Sequence, residues 1–138
     1  MRLQGNTTRD GQFWLAKVPI LEAATQGRTR KEAFEMTKDL IESLVNAPGF
    51  SVTVYPGPSN TFEVASDDSG YLVKLVLKRQ REQSGLSLAE VANRLGVKSR
   101  NAYARYERGD SNPTLEKLDQ LLRAVSSGRE LVIGTADL

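Results

Sequence analysis

The chain has 138 residues, 39% of them hydrophobic and 26% charged, the composition of one folded domain or two small ones rather than of a disordered tail. It contains no cysteine and no histidine, which excludes disulfides, thiolate chemistry, Ser-His-Asp and Cys-His catalysis and His-ligated metal, and leaves only carboxylate chemistry open. The net charge of +2 hides an asymmetry: residues 1–70 carry seven basic and nine acidic side chains, residues 71–138 twelve and eight, and Lys78 to Arg108 eight and three. Such a basic concentration is the footprint of phosphate binding, the plainer alternative being a solvated helical surface.

No apolar run approaches the roughly 20 residues that span a bilayer, and no signal-peptide core opens the chain, so a cytoplasmic location is expected. In chain order, residues 1–8 predict a strand, Arg9-Asp10-Gly11-Gln12 a hairpin turn, and Phe13, Leu15 and Val18 a second strand stopped at Pro19. Thr25-Gln26-Gly27-Arg28-Thr29 reads as a loop and cap, with Gly27 supplying an unusual backbone angle. Thr29 and Glu32 have capping-box spacing. Ala33, Met36, Leu40, Ile41, Leu44 and Val45 then share one helical face. Asn46-Ala47-Pro48-Gly49 ends that helix, Phe50 to Tyr55 is a strand, Pro56 to Asn60 a loop, and Thr61 to Ala65 a short strand. A domain boundary is expected at Ser66-Asp67-Asp68-Ser69-Gly70, which is polar and turn-prone.

From Tyr71 to about Val125 the pattern is helical. Leu72, Leu75, Val76 and Arg79 to Gln83 form a first helix ended by Ser84-Gly85. Ser87 and Glu90 make a second capping box, opening a helix through Leu88, Val91, Ala92 and Leu95 that Gly96 closes. A third helix is expected from Ser99 to Glu107. A fourth starts at Pro113, as a first helical residue without its N–H, and buries Leu115, Leu118, Leu121 and Leu122. Glu130-Leu131-Val132-Ile133 predicts a terminal strand. Two short helices joined by a glycine turn inside a helical domain are the physical signature of a helix-turn-helix, with Ala92 at the close crossing and Val97 a buried wedge. Lys98, Ser99, Arg100 and Asn101 then stand where a recognition helix meets DNA. Arg can contact guanine and Asn adenine bidentately, and the helix start suits phosphate. Ser87 and Arg105 join these four as candidate DNA-binding residues; no catalytic residue, metal or cofactor is expected.

Leu77-Lys78-Arg79-Gln80-Arg81-Glu82-Gln83-Ser84-Gly85-Leu86-Ser87, with Val91-Ala92, Leu95-Gly96-Val97, Tyr106-Glu107-Arg108-Gly109 and Pro113-Thr114, resembles the Cro/cI-type (XRE) helix-turn-helix family over some 50 residues. Leu88 stands where that family often has Gln, and the stretch from Val97 to Glu107 is one residue longer than usual. Both bear on the base-reading register. Trp14-Leu15-Ala16-Lys17-Val18-Pro19, Thr25-Gln26-Gly27-Arg28-Thr29 and Glu32-Ala33 resemble the HicB antitoxin family. That resemblance implies an α+β chain, with a small, partial ribonuclease-H-like N-terminal domain (1–68) and an all-α helix-turn-helix domain (71–138). It further implies an antitoxin that masks a HicA-type mRNA-cleaving toxin and represses its own operon. A helix-turn-helix unit of this size binds two half-sites about one helical turn apart, so a homodimer or higher homo-oligomer is expected. The alternative is a stand-alone XRE-type regulator whose N-terminal domain senses a ligand or dimerises.

A ribonuclease H relative could also be a nuclease. Two-metal cleavage needs converging carboxylates, but Asp10 falls in a turn, Glu32 in a cap, and Glu35, Asp39 and Glu42 on the polar helix face. The acidic residues form no converging cluster, so a non-enzyme is expected.

Overall fold

The computed structural model describes residues 1–126 and 128–137. Five strands and one helix occupy the first half: β1 (Arg2–Asp10), β2 (Phe13–Val18), β3 (Ala23–Gly27), α1 (Arg30–Val45), β4 (Thr53–Pro56) and β5 (Thr61–Ala65). The sheet is antiparallel throughout, in the order β3-β2-β1-β5-β4. Asp10 pairs with Phe13 across a Gly11-Gln12 turn, and this register puts Leu3, Gly5 and Thr7 of β1 on the same buried face as Ala16 and Val18 of β2. Arg2, Gln4, Asn6 and Thr8 alternate onto the other face.

Helix α1 covers the buried face, contacting β2, β3 and β4. Its start is fixed by the Thr29 hydroxyl, which accepts a hydrogen bond from the Glu32 amide at 3.0 Å. The buried stripe is Ala33, Thr37 and Ile41, one residue per turn, with Phe34 tilted against Phe62 at 5.2 Å between ring centroids. Thr37 is tolerated there because its hydroxyl donates to the Ala33 carbonyl. Met36, expected inside, is 41% exposed: the stripe is narrower than the apolar pattern and is centred on the Ala33–Thr37–Ile41 row.

Three further expectations for this half are corrected. The segment read as a loop at 25–29 begins as a strand, since Ala23 to Gly27 pair with Val18 to Trp14. Gly27 does not supply an unusual backbone angle. It is needed because a Cβ there would lie 2.4 Å from the Ala33 amide nitrogen, where α1 starts against the sheet. The strand predicted from Phe50 begins only at Thr53, because the backbone of Val52 is used otherwise: its N–H donates to Glu42 and its carbonyl accepts from Lys38. The ion pair with Lys38, followed by that amide, holds the Glu42 carboxyl below its ordinary range.

The second half is helical: α2 (Ser69–Gln83), α3 (Leu88–Arg94), α4 (Asn101–Arg108) and α5 (Leu115–Val125). The compact units are Met1–Val76 and Leu77–Leu138, so the division falls inside α2 rather than in the turn at 66–70. The polar residues of that turn start the helix instead: the Asp68 carboxylate accepts the Gly70 amide, and Tyr71, two residues on, packs against Phe50 at 5.3 Å. In α5, Thr114 is the N-cap, accepting from the Lys117 amide, so Pro113 precedes the helix rather than opening it. Leu115 is 60% exposed and Leu118 half-buried; the buried residues are Leu121, Leu122, Ala124 and Val125. Residues 130–133, predicted as a strand, have no ladder partner and no regular structure. Among the described residues no helix is long and apolar enough to cross a membrane, and no group of three or more acidic side chains is placed to hold a metal ion.

Candidate nucleic-acid interface

The helical unit is built around two tight reversals. Helix α2 closes with Gly85 donating to the Glu82 carbonyl and Leu86 to the Arg81 carbonyl. Two residues later Ser87 caps α3 with a complete capping box: its hydroxyl accepts from the Glu90 amide at 3.1 Å, and its own amide donates to the Glu90 carboxylate at 3.3 Å. Helix α3 buries Val91 and Ala92 and ends at Gly96, whose φ of +73° is the left-handed conformation the turn requires. The chain then runs through Val97, half-buried rather than fully buried as a wedge, whose amide donates to the Ala92 carbonyl.

Helix α4 begins two residues later than predicted. Ser99 lies outside it, its hydroxyl accepting from the Asn101 amide, and Arg100 is the N-cap residue. One face of α4 buries Tyr103, Ala104 and Tyr106; the opposite face carries Asn101, Arg105 and Arg108, at steps of four and three, all exposed. The helix is locked in place by Glu107, whose two carboxylate oxygens accept from Arg81 Nε and Nη2 at 2.8 and 2.9 Å, while Arg81 Nη1 donates to the Leu86 carbonyl at 3.0 Å. The two side chains are 16% and 8% exposed. One buried, fully bonded pair therefore joins the end of α2, the loop after it and the last turn of α4. The hydrogen bonds Arg81 donates to Glu107 raise its own pKa further above the ordinary value. Beside this pair lies the Tyr103 hydroxyl, wholly buried and without a well-formed hydrogen bond. Burial, then the Glu107 carboxylate, pushes its phenol far above the ordinary range.

Five of the six residues expected to bind DNA are thus gathered: Lys98 and Ser99 in the turn, Arg100 and Asn101 at the start of α4, and Arg105 one turn further, all exposed. Arg105 is steadied over the Tyr106 ring at 5.0 Å, with Nη2 reaching the Tyr106 hydroxyl. Ser87, the sixth, is exposed at the start of α3, with its hydroxyl engaged in the cap. Not every charge in the basic stretch is available, since Arg81 is consumed by Glu107 and Arg108 pairs with Asp110 at 2.8 Å. A shallow open groove lined by Ala89, Asn93, Gly96, Lys98 and Arg100 runs between α3 and the turn. Asn93 was not singled out in the sequence; its signal is a polar side chain three residues before Gly96, off the Val91-Ala92 face.

Residues 77–125 match the helix-turn-helix family model. A protein of Pyrococcus abyssi is 46% identical over 56 residues, which cover 38% of this chain and 17% of its own length. Proteins of Saccharolobus islandicus and Saccharolobus solfataricus are 43% identical over 56 residues, 38% of this chain and 18% of theirs. All three are named HTH-type transcriptional regulatory proteins. The chain spans less than a fifth of the length of these relatives. Family model and geometry agree on the same segment, and residues 77–125 are a helix-turn-helix domain.

Proposed function

We propose that this chain is a DNA-binding transcription regulator that reads a duplex operator through α4 and acts as a homodimer, with the N-terminal α+β unit as a sensing or dimerisation module. The observation that carries this reading is the division of α4 into two faces. Tyr103, Ala104 and Tyr106 are buried and Glu107 is clamped by Arg81, so the helix is rigidly presented. Lys98, Ser99, Arg100, Asn101 and Arg105 are left exposed around its start. Phosphate contacts by Lys98 and Ser99 would set the register, with Ser87 at the start of α3 as a further polar contact; Arg100, Asn101 and Arg105 would supply base readout. The names of the relatives, transcriptional regulators, point the same way.

Selection of bound duplexes from a random library by the full chain tests this. A recovered consensus, with discrimination at one position lost in Arg100→Ala, is the expected result. Recovery of unenriched sequence overturns it.

A second reading, an antitoxin resembling HicB that neutralises a HicA-type mRNA-cleaving toxin, is favoured by one observation. The Thr25-Gln26-Gly27 motif is a strand end packed against the first turn of α1, with Gly27 admitting the Ala33 backbone. The motif and Glu32-Ala33 thus form one packing unit in a small sheet-and-helix module. Purified chain mixed with a HicA-type toxin should abolish RNA cleavage; unchanged cleavage at excess chain removes this reading and leaves the first intact.

A further inference from the structure

The basic side chains around α4 are treated unequally by the fold. Arg81 and Arg108 are each spent on a carboxylate, Glu107 and Asp110. Lys98, Arg100 and Arg105 have no carboxylate partner among the described residues, and of these three only Arg105 is held in place. Its guanidinium carbon lies 5.0 Å from the centre of the Tyr106 ring, and Nη2 donates to the Tyr106 hydroxyl at 3.2 Å. Successive positions on a helix point about 100° apart, so helical spacing alone does not bring two neighbours together. Arg105 folds along the helix surface to reach this ring. The anchor is firm: Tyr106 is 7% exposed, shares the buried face of α4 with Tyr103 and Ala104, and directly precedes the clamped Glu107.

Within the DNA-binding function proposed above, on which this rests, we infer that Tyr106 is a positioning residue that sets specificity: its hydroxyl aims Arg105 at a guanine of the bound duplex. A phenol can do this where a carboxylate cannot. A carboxylate would orient the guanidinium but cancel its charge, as Glu107 does for Arg81; the neutral hydroxyl orients Arg105 and leaves the cation whole. The donors also suffice. Nη2 carries two hydrogens, so giving one to Tyr106 leaves a complete fork of parallel N–H groups, which is what the O6 and N7 acceptors of guanine require. Holding the long, flexible side chain before DNA arrives lowers the ordering cost of binding. That saving is realised only where the aimed fork meets its base, so it appears as discrimination and not as general affinity for duplex.

The test is base-by-base discrimination by the full chain on its selected duplex, with the unfolding midpoint of each variant measured beside it. Tyr106→Phe keeps the ring and removes only the hydroxyl. It should keep the parent's midpoint and its affinity for unrelated duplex, yet bind the selected duplex about three- to tenfold more weakly. The loss should fall at one G·C pair, the same pair at which Arg105→Ala loses discrimination. In the Arg105→Ala background, Tyr106→Phe should add no further loss, as a residue acting only through Arg105 requires. Equal weakening on all duplexes would make Tyr106 a phosphate contact in its own right and overturns the inference. So does undiminished discrimination, or a loss that adds to that of Arg105→Ala. A parent chain that selects no consensus removes the DNA-reading function and the aiming role with it. A parent that selects one, read equally well by Tyr106→Phe, removes the aiming role alone.

Discussion

At the scale of single residues, the Arg81–Glu107 pair decides whether α4 is held. Both side chains are largely buried and every carboxylate oxygen is bonded, so removing one partner strands a charge. Glu107→Ala should cost about 3–5 kcal/mol of stability in urea unfolding, whereas replacing both partners, Arg81→Met with Glu107→Leu, should recover most of it. Tyr103 behaves in the opposite way. Its hydroxyl has no well-formed partner, so Tyr103→Phe should stay within about 1 kcal/mol of the parent at neutral pH. The folded-state pKa of that phenol is raised by burial above the ordinary value of 10.0. Its contribution is thus fully present below that value and is lost as pH rises beyond it. Unfolding midpoints compared at pH 8 and pH 11 should show the parent losing stability relative to Tyr103→Phe.

At the scale of elements, both helix starts that carry a hydroxyl-and-glutamate signature, Thr29 and Ser87, are where the sequence placed them, because a cap is a local bargain between residues three apart. What stayed illegible was decided by distant partners. β3 has a weak strand composition, Ala-Ala-Thr-Gln-Gly, and exists because β2 supplies a ladder. The start of β4 is delayed by side chains of α1 ten or more residues away. The two-residue delay of α4 arises where Ser99 caps the chain before the helix begins. Gly27→Ala tests the packing account of the β3–α1 corner: with a Cβ 2.4 Å from the Ala33 nitrogen, it should destabilise by about 1–3 kcal/mol. A glycine needed only for chain flexibility would instead give a stabilised variant.

At the scale of the whole molecule, charge and fold divide at different places. The charge asymmetry suggested a boundary at 66–70, but α2 runs from Ser69 to Gln83 and the compact N-terminal unit extends to Val76. Hydrophobic periodicity identified α2 without revealing that its first turns belong with the sheet, because periodicity marks a buried face and not what covers it. A fragment of residues 1–70 lacks Tyr71, the ring partner of Phe50, and should melt well below a fragment of residues 1–83 by circular dichroism. The candidate interface was more legible: five of its six residues fall within one stretch of eight, so local pattern placed them together. The sequence did not reveal that Arg81 is spent inside the fold.

Fluorescence anisotropy of the full chain on its selected duplex, between 50 and 200 mM salt, tests the central claim most directly. Lys78, Lys98, Arg100 and Arg105 are exposed basic groups, and each phosphate neutralised contributes about −0.9 to the slope of log affinity against log salt. The account predicts a steep fall in affinity, a preference over unrelated duplex that Arg100→Ala reduces by about 1–3 kcal/mol, and a uniform weakening on all sequences for Lys78→Ala. Binding that ignores salt, or that Arg100→Ala and Lys78→Ala leave unchanged, would contradict it.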